Sequence, residues 1–445
     1  MKSQKKYSYK QILHIAYPIL ISLVMEQLIG MTDTAFLGRV GEIELGASAL
    51  AGVYYMAIFM IAFGFSIGSQ IVIGRRNGEG QYTQIGSVFY QGIYFLLFLA
   101  VVMFSLSQYF SPRILKNIIS SPHVYEATVS YINWRVYGFF FSFIGVMFRA
   151  FFVGTTLTKT LTLNSVVMVL SNVVFNYIFI FGKFGFPALG IAGAAIGSSL
   201  AELVSVLFFV IYTYRRVDVK KYGLNHLQTF RPKLLKRILN VSFWTMIQNF
   251  VSLSTWFLFF LAVEHLGERP LAISNIIRNV SALPFMVMIA FASTCSTLIS
   301  NLMGAGESRY VKGTLKQCIG ITYIFLIPLL LFFVCFPSLI LHIYTDSAVL
   351  IKASIPALMV LCSSYLLSVP GNVYFQAVSG TGNTRTALWL ELLTLAIYIG
   401  YVSVLIFHFR VDVAVCWTTE HIYAGFILLF SYLYFKKGKW EDKRI

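Results

Sequence analysis

Apolar residues fill this chain in blocks of about twenty, each long enough to cross a hydrocarbon layer as an α-helix. The run from Gly92 to Leu106 is a typical interior of one block. Twelve such blocks begin near Gln11, Ala47, Gly86, Val124, Leu161, Gly190, Ile238, Leu271, Leu315, Val349, Ala387 and Val413, six in each half. Runs this long and unbroken exclude a β-barrel, whose strands alternate apolar and polar positions. Glycine, proline, serine and threonine recur inside the blocks, as expected of membrane helices that approach closely and bend. The pattern predicts an all-α integral membrane protein with twelve transmembrane helices.

The two halves repeat each other at a fixed offset of 226 residues. Gly154-Thr155-Thr156-Leu157-Thr158-Lys159-Thr160 returns as Gly380-Thr381-Gly382-Asn383-Thr384-Arg385-Thr386. Gly41 returns as Gly267, Gly78 and Gly80 as Gly304 and Gly306, and Gly145 as Gly371, with no change of register. An even number of spans per half brings each half in and out on the same side, so the repeat is parallel, about an axis along the membrane normal. The predicted organisation is a six-helix bundle over residues 1–214, a polar linker over 215–237 that lets the halves rock, and a second six-helix bundle over 238–445.

Composition agrees: 58% of the residues are hydrophobic and 11% charged, where a soluble domain carries about 25% charged residues, and the mean hydropathy is +0.76. The basic start, Lys2 to Lys10, precedes an apolar stretch that is long and contains Glu26 and Asp33, so it reads as a first span and not a cleaved leader. The formal charge of +17 would suit a nucleic-acid binder. Its placement argues otherwise. Twenty-four of the 34 basic residues fall on one side, at the termini, after the even-numbered spans and in the linker, where Arg215, Arg216, Lys220, Lys221, Arg231, Lys233, Lys236 and Arg237 crowd together. The other side holds only Arg39, Arg113, Lys116, Lys183, Arg269, Lys352 and Arg410. By the positive-inside rule both termini and the linker are cytoplasmic, and no soluble module is present to carry nucleic acid. Cys295, Cys318, Cys335, Cys362 and Cys416 lie in apolar stretches without metal-ligand spacing and read as buried small hydrophobes.

No nucleotide-binding loop occurs. Gly74-Arg75-Arg76-Asn77-Gly78-Glu79-Gly80 is glycine-rich but lacks the Lys-Ser/Thr that cradles phosphate. Neither a zinc-protease nor a serine-hydrolase motif is present, so the sequence points to no enzyme and no cofactor. An ion gradient is then the natural energy source, with a proton as coupling ion and sodium as the alternative.

A carboxylate inside a span costs about 2.5–3.5 kcal/mol to insert, which makes each one a functional candidate. Glu26 and Asp33 lie seven residues apart in the first span, nearly two turns, and so share a face. Burial disfavours the charged form of a carboxyl, so Asp33 is the candidate proton carrier, with Glu26 assisting it, meeting a cationic substrate, or pairing structurally. Pro18, earlier in the same span, is the candidate hinge. Asn172 and Asn176, at i and i+4 in the fifth span, offer amides to an ion or a protonated carboxyl, or glue between helices, as does Asn164. Glu202 and Glu391 have no partner on their own helices, Glu264, near the end of the seventh span beside His265, Glu268 and Arg269, reads as an interfacial residue, and Arg135, Arg149 and Arg278 read as structural pairs or snorkelling cations. Gln248, Asn275, Asn372 and Gln376, with Asn249 and Asn279, are spaced so that several face one cavity. Aromatic and methionine side chains around them would suit a flat organic cation or another amphipathic substrate.

These motifs resemble the multidrug and toxic compound extrusion (MATE) family. Met31 to Gly41 is similar to its first-span Val-Asp-Thr-x-x-x-Gly-x-Leu-Gly signature, the copies at Gly154 and Gly380 to its paired Gly-x-Gly-x-Thr-Arg turns, and Asn172 to Gly182 to its fifth span. The resemblance implies two bundles with a cavity between them and export of organic cations in exchange for protons or sodium. It also implies a monomer among membrane lipids, in a prokaryotic inner or plasma membrane. Asp33 matches the family's first-span acid, Pro18 its bending proline and Asn172 its fifth-span asparagine. Where some relatives place a second acid this chain has Asn176, and the whole is most like the DinF branch, often proton-coupled. A lipid or lipid-linked saccharide flippase of a related class is the alternative. It would call for a groove rich in Arg and Lys, whereas the embedded cations are only three.

Overall fold

The computed structural model describes residues 6–119, 121–438 and 440–441. Lys2, Lys5, Lys439, Lys443 and Arg444, five of the basic residues at the two termini, lie outside the described residues. Among the described residues, twelve helices are long and apolar enough to span a membrane: α1 (Tyr9–Leu37), α2 (Glu42–Gly78), α3 (Tyr82–Ile118), α4 (Pro122–Gly154), α5 (Lys159–Phe181), α6 (Gly190–Arg216), α7 (Pro232–Glu264), α8 (Glu268–Gly304), α9 (Ser308–Cys335), α10 (Ala348–Gly380), α11 (Thr384–His408) and α12 (Val413–Lys437). The protein is an all-α integral membrane protein, as predicted.

The helices outrun the apolar blocks that predict them. At 37 residues, α2, α3 and α8 are each about 55 Å long, because polar ends such as Glu42, Glu44, Arg75 and Arg76 continue the same helical turns. The repeat survives in three dimensions, since α2 and α8 have equal lengths at the 226-residue offset, as do α4 and α10. The turns after them also match. Gly80 and Gly306 have φ of 72° and 70°, and Thr156 and Gly382 have φ of 63° and 90°. Left-handed backbone is cheap for glycine and uncommon for threonine, so the fold imposes the same turn twice on different residues.

By internal packing the chain divides into two units: one takes α1 up to Leu20 together with the chain from Phe250 onward, and the other runs from Ile21 to Asn249. In the first unit, Ile12, Ile15 and Ala16 of α1 join an apolar core with Phe259, Phe291, Leu358 and Trp417. Lys6 pairs with Glu307, and Gln317 donates to the Tyr7 carbonyl at 2.5 Å. Burial, with the Glu307 charge beside it, pushes the Tyr7 phenol up to about 12, so it remains a neutral hydroxyl. Four of the five cysteines are buried, but Cys335, at the end of α9, is exposed. That corrects the uniform expectation: an apolar sequence neighbourhood on a membrane helix does not tell an inward face from an outward one.

The second unit has an aromatic core in which Phe209 stacks on both Phe148 and Phe152. Its linker is fastened to α3 and is no loose tether. Tyr90 and Tyr94 donate to the carbonyls of Leu224 and Gln228 at 2.9 and 2.6 Å. The Gln91 amide donates to the Thr229 carbonyl at 2.9 Å and accepts from the Arg231 backbone N–H at 2.8 Å.

Two glycines let α2 and α7 meet backbone to backbone. A Cβ on Gly64 would sit 2.6 Å from Met246 Cα, and one on Gly68 would collide with the backbone and hydroxyl of Ser242. Gly64→Ala and Gly68→Ala should therefore each cost about 1–3 kcal/mol by overpacking. Gly52→Ala, which faces open space, serves as the control. Melting curves of the purified proteins check this, and equal stability of all three variants would refute the close-packing assignment.

Candidate functional site

Asp33 lies one turn before the end of α1, where α5 and α6 bring polar groups to it. The Asn176 amide donates to Asp33 Oδ1 at 2.5 Å, and the Ser198 hydroxyl donates to Oδ2 at 3.1 Å. Asn176 also donates to Asn172 Oδ1 at 3.2 Å, and Asn172 to Ser198 Oγ at 3.1 Å, closing the ring. Asn172, Asn176 and Ser198 are buried, while Asn176 Oδ1 has no hydrogen-bond partner among the described residues. The asparagines meet Asp33 together because an i, i+4 spacing places them on one face of α5.

Ser198 reaches them because α6 approaches α5 along a glycine stripe. A Cβ on Gly193 would strike the Phe179 carbonyl, and one on Gly197 would strike Asn176. Sequence reasoning missed Ser198. The signal was present in Gly190, Gly193 and Gly197, the small-residue spacing that lets membrane helices close up.

A second set of charges adjoins the first. Arg135 of α4 holds Glu202 of α6 in a bidentate pair, at 2.9 Å and 2.6 Å, with both side chains nearly enclosed. The guanidinium lies 3.7 Å from the centre of the Tyr55 ring of α2, and the Tyr55 hydroxyl is 3.1 Å from Glu202 Oε1 and 2.9 Å from the Ser142 hydroxyl. Gly138 makes room for the pair, because a Cβ there would meet both Arg135 and Glu202. The charge of Arg135 also acts on Asp33, and Tyr131 lies within range of Arg135, Asp33 and Glu202.

Glu26 stands apart from this ring. Its side chain is half exposed and lies 3.6 Å from Arg149 and 3.3 Å from the Ser22 hydroxyl, which also receives Ser165 at 3.0 Å. Asn164 is taken up by a reciprocal pair with Ser205, at 2.9 and 3.0 Å. Gln248 is buried on α7, and Asn249 donates to the Thr245 carbonyl at 2.8 Å. Pro18 is inside α1, three residues before the point where that helix passes from one unit to the other.

In the first unit, Asn372 donates to the Ser368 carbonyl at 3.0 Å and Asn279 to the carbonyl of Asn275 at 2.9 Å. Gln376 is half-buried on α10, while Glu264 and Arg278 are exposed. Glu391 is buried and accepts from Ser252. Tyr423 lies within range of both Glu391 and Glu420, an acid of α12 that sequence reasoning passed over.

A helical membrane protein that carries one six-span plan twice and sets a carboxylate among amides has the build of a secondary transporter. Residues 18–178 and again 245–406 match the MatE family, and the chain belongs to it. A Thermotoga maritima protein described as a probable multidrug resistance protein NorM is 26% identical, the match covering 98% of this chain and 94% of that one. The multidrug resistance protein NorM of Vibrio cholerae is 24% identical over 68% of this chain and 66% of its own. Among solved structures, an outward-facing multidrug resistance MATE transporter superposes with a TM-score of 0.89 at 18% identity, covering 98% of this chain and 97% of that one. A transporter of the MOP superfamily from Pyrococcus furiosus gives 0.86 at 18% identity, covering 97% and 96%. These likenesses establish the shared fold.

Proposed function

We propose that the protein exports organic cations or other amphipathic molecules by alternating access, in exchange for protons carried on Asp33. The observation that carries this reading is the ring of Asn172, Asn176 and Ser198 around a single carboxylate. Donors fill it: an amide N–H and a hydroxyl already point at the two Asp33 oxygens. A sodium ion needs oxygen acceptors on all sides. A proton needs only one Asp33 oxygen, with Asn176 Oδ1 as acceptor once its amide turns, whereas a sodium ion would need that turn and the oxygens of Asn172 and Ser198 as well. The names of the NorM relatives support a multidrug substrate range.

We assign substrate contacts to Gln248, Asn275, Asn372 and Gln376, and place both termini in the cytoplasm by the distribution of basic residues. One first-span acid facing an asparagine at 176 supports placing the chain in the DinF branch.

The test is efflux of a fluorescent organic cation from proteoliposomes under a pH gradient alone and under a sodium gradient alone. Transport under the pH gradient is expected. Transport under sodium only would move the coupling to sodium, and none under either gradient would sink the antiport reading.

A further inference from the structure

At one end of the second unit, the first turns of α3 and α7 and the end of the linker enclose an open cavity of about 760 Å³, lined by Ser87, Val88, Phe230, Arg231, Lys233 and Arg237 among others. No acidic residue lines it. None of its three cations forms an ion pair among the described residues. Like charges held together repel, and the repulsion is relieved by an anion between them. The chain does not let them drift apart, since Gln91 ties both Thr229 and the Arg231 backbone to α3.

Depth and surroundings say which anion. The apolar blocks of the two flanking helices begin near Gly86 and Ile238, beside the lining residues Ser87 and Arg237, so the cavity opens at the level where the hydrocarbon layer meets water. Val88 and Phe230 give it an apolar side, and Phe230 is 58% exposed. On α3, Tyr94, Phe98 and Val101 follow Ser87 by 7, 11 and 14 residues, which puts them within about 40° of its direction. Phe98 and Val101 are 65% and 52% exposed. An apolar strip thus runs from the cavity about 20 Å along α3 into the membrane. A free phosphate would use only the cations. A molecule with a phosphate head and an acyl tail uses both.

We propose that this cavity is a binding site for an anionic glycerophospholipid, its headgroup phosphate held by Arg231, Lys233 and Arg237 and one acyl chain lying on Phe98 and Val101. The site is separate from the Asp33 ring and independent of the transport reading.

The experiment is titration of the purified full-length protein, in neutral phosphatidylcholine nanodiscs, with fluorescent phosphatidylglycerol. The first variant carries Arg231→Gln, Lys233→Gln and Arg237→Gln. A control of equal charge change carries Lys312→Gln, Lys316→Gln and Lys436→Gln. A third variant is Phe98→Ser. The first variant should weaken binding at least tenfold and Phe98→Ser several-fold, while the control stays at the wild-type value. Equal weakening by the control would mean diffuse attraction and overturn the site. Displacement of the lipid by millimolar inorganic phosphate, with no effect of Phe98→Ser, would make it an anion site and overturn the lipid assignment. Should the triple variant not fold, Arg231→Gln alone, expected to weaken binding about threefold, and Phe98→Ser carry the test, and wild-type binding by both overturns the site.

Discussion

Asp33→Asn should abolish transport driven by a pH gradient while leaving the protein folded and able to bind its substrate. An asparagine has the shape of the carboxyl it replaces. Its carbonyl can still accept from Asn176 or Ser198, so the ring around position 33 keeps most of its bonds. What it loses is the capacity to exist in two charge states. A coupling ion drives transport only through a difference in affinity between two conformations, and couplings of this kind are worth about 1–3 kcal/mol, or roughly 5–150-fold. The expected result is a fall of about 100-fold in pH-driven efflux, with substrate affinity that no longer varies with pH. Proteoliposome efflux and equilibrium binding at two pH values measure the two parts. Undiminished pH-driven efflux in Asp33→Asn would move the proton to another carboxyl, with Glu391 and Glu420 next in line.

The second large effect is on stability. Arg135 and Glu202 are nearly enclosed and answer each other with two hydrogen bonds. Removing one partner strands the other's charge among apolar helices, at a cost of about 3–5 kcal/mol. Glu202→Met should therefore lower the melting temperature and the yield of monodisperse protein sharply, as should Arg135→Met. The double variant should recover most of the loss, because two apolar side chains of similar volume need no partner. A double-mutant cycle from thermal melts in detergent reads the coupling directly. Additive losses, with no recovery in the double variant, would refute a pair that acts as a unit. The same variants alter the charge that reaches Asp33, so efflux measured in the stable double variant separates a structural role from an electrostatic one.

The parts of the fold that sequence made legible are those carried by one helix at a time. Twelve apolar blocks became twelve spans, and the 226-residue offset reappears in the matched lengths of α2 and α8 and in the left-handed turns at Thr156 and Gly382. Asp33, Asn172 and Asn176 stood out for the same reason, as rare polar residues on single helix faces. Pairings between helices were not legible. Whether Arg135 meets Glu202, or Glu26 meets Arg149, depends on the depth and rotation of two helices at once, and hydrophobic blocks record neither. The division of α1 at Leu20 was equally hidden, because its apolar pattern continues unchanged through Pro18 and beyond. The linker's polarity disguised its attachment to α3, which is made through side chains to backbone carbonyls.

Lys6, Tyr7 and the start of α1 are synthesised long before what holds them: Glu307 and Gln317, and much of the core that surrounds Ile12 and Ala16, lie some three hundred residues later in the chain. At elongation rates of about 5–20 residues per second, this half of α1 waits roughly 15–60 s in the bilayer for the helices that will hold it. During that interval its apolar surface must be sheltered by lipid or by the insertion machinery. The early half of α1 is thus locked in place long after it is made, and a substitution at Ile12 or Ala16 should be felt in the yield of inserted protein before it is felt in transport.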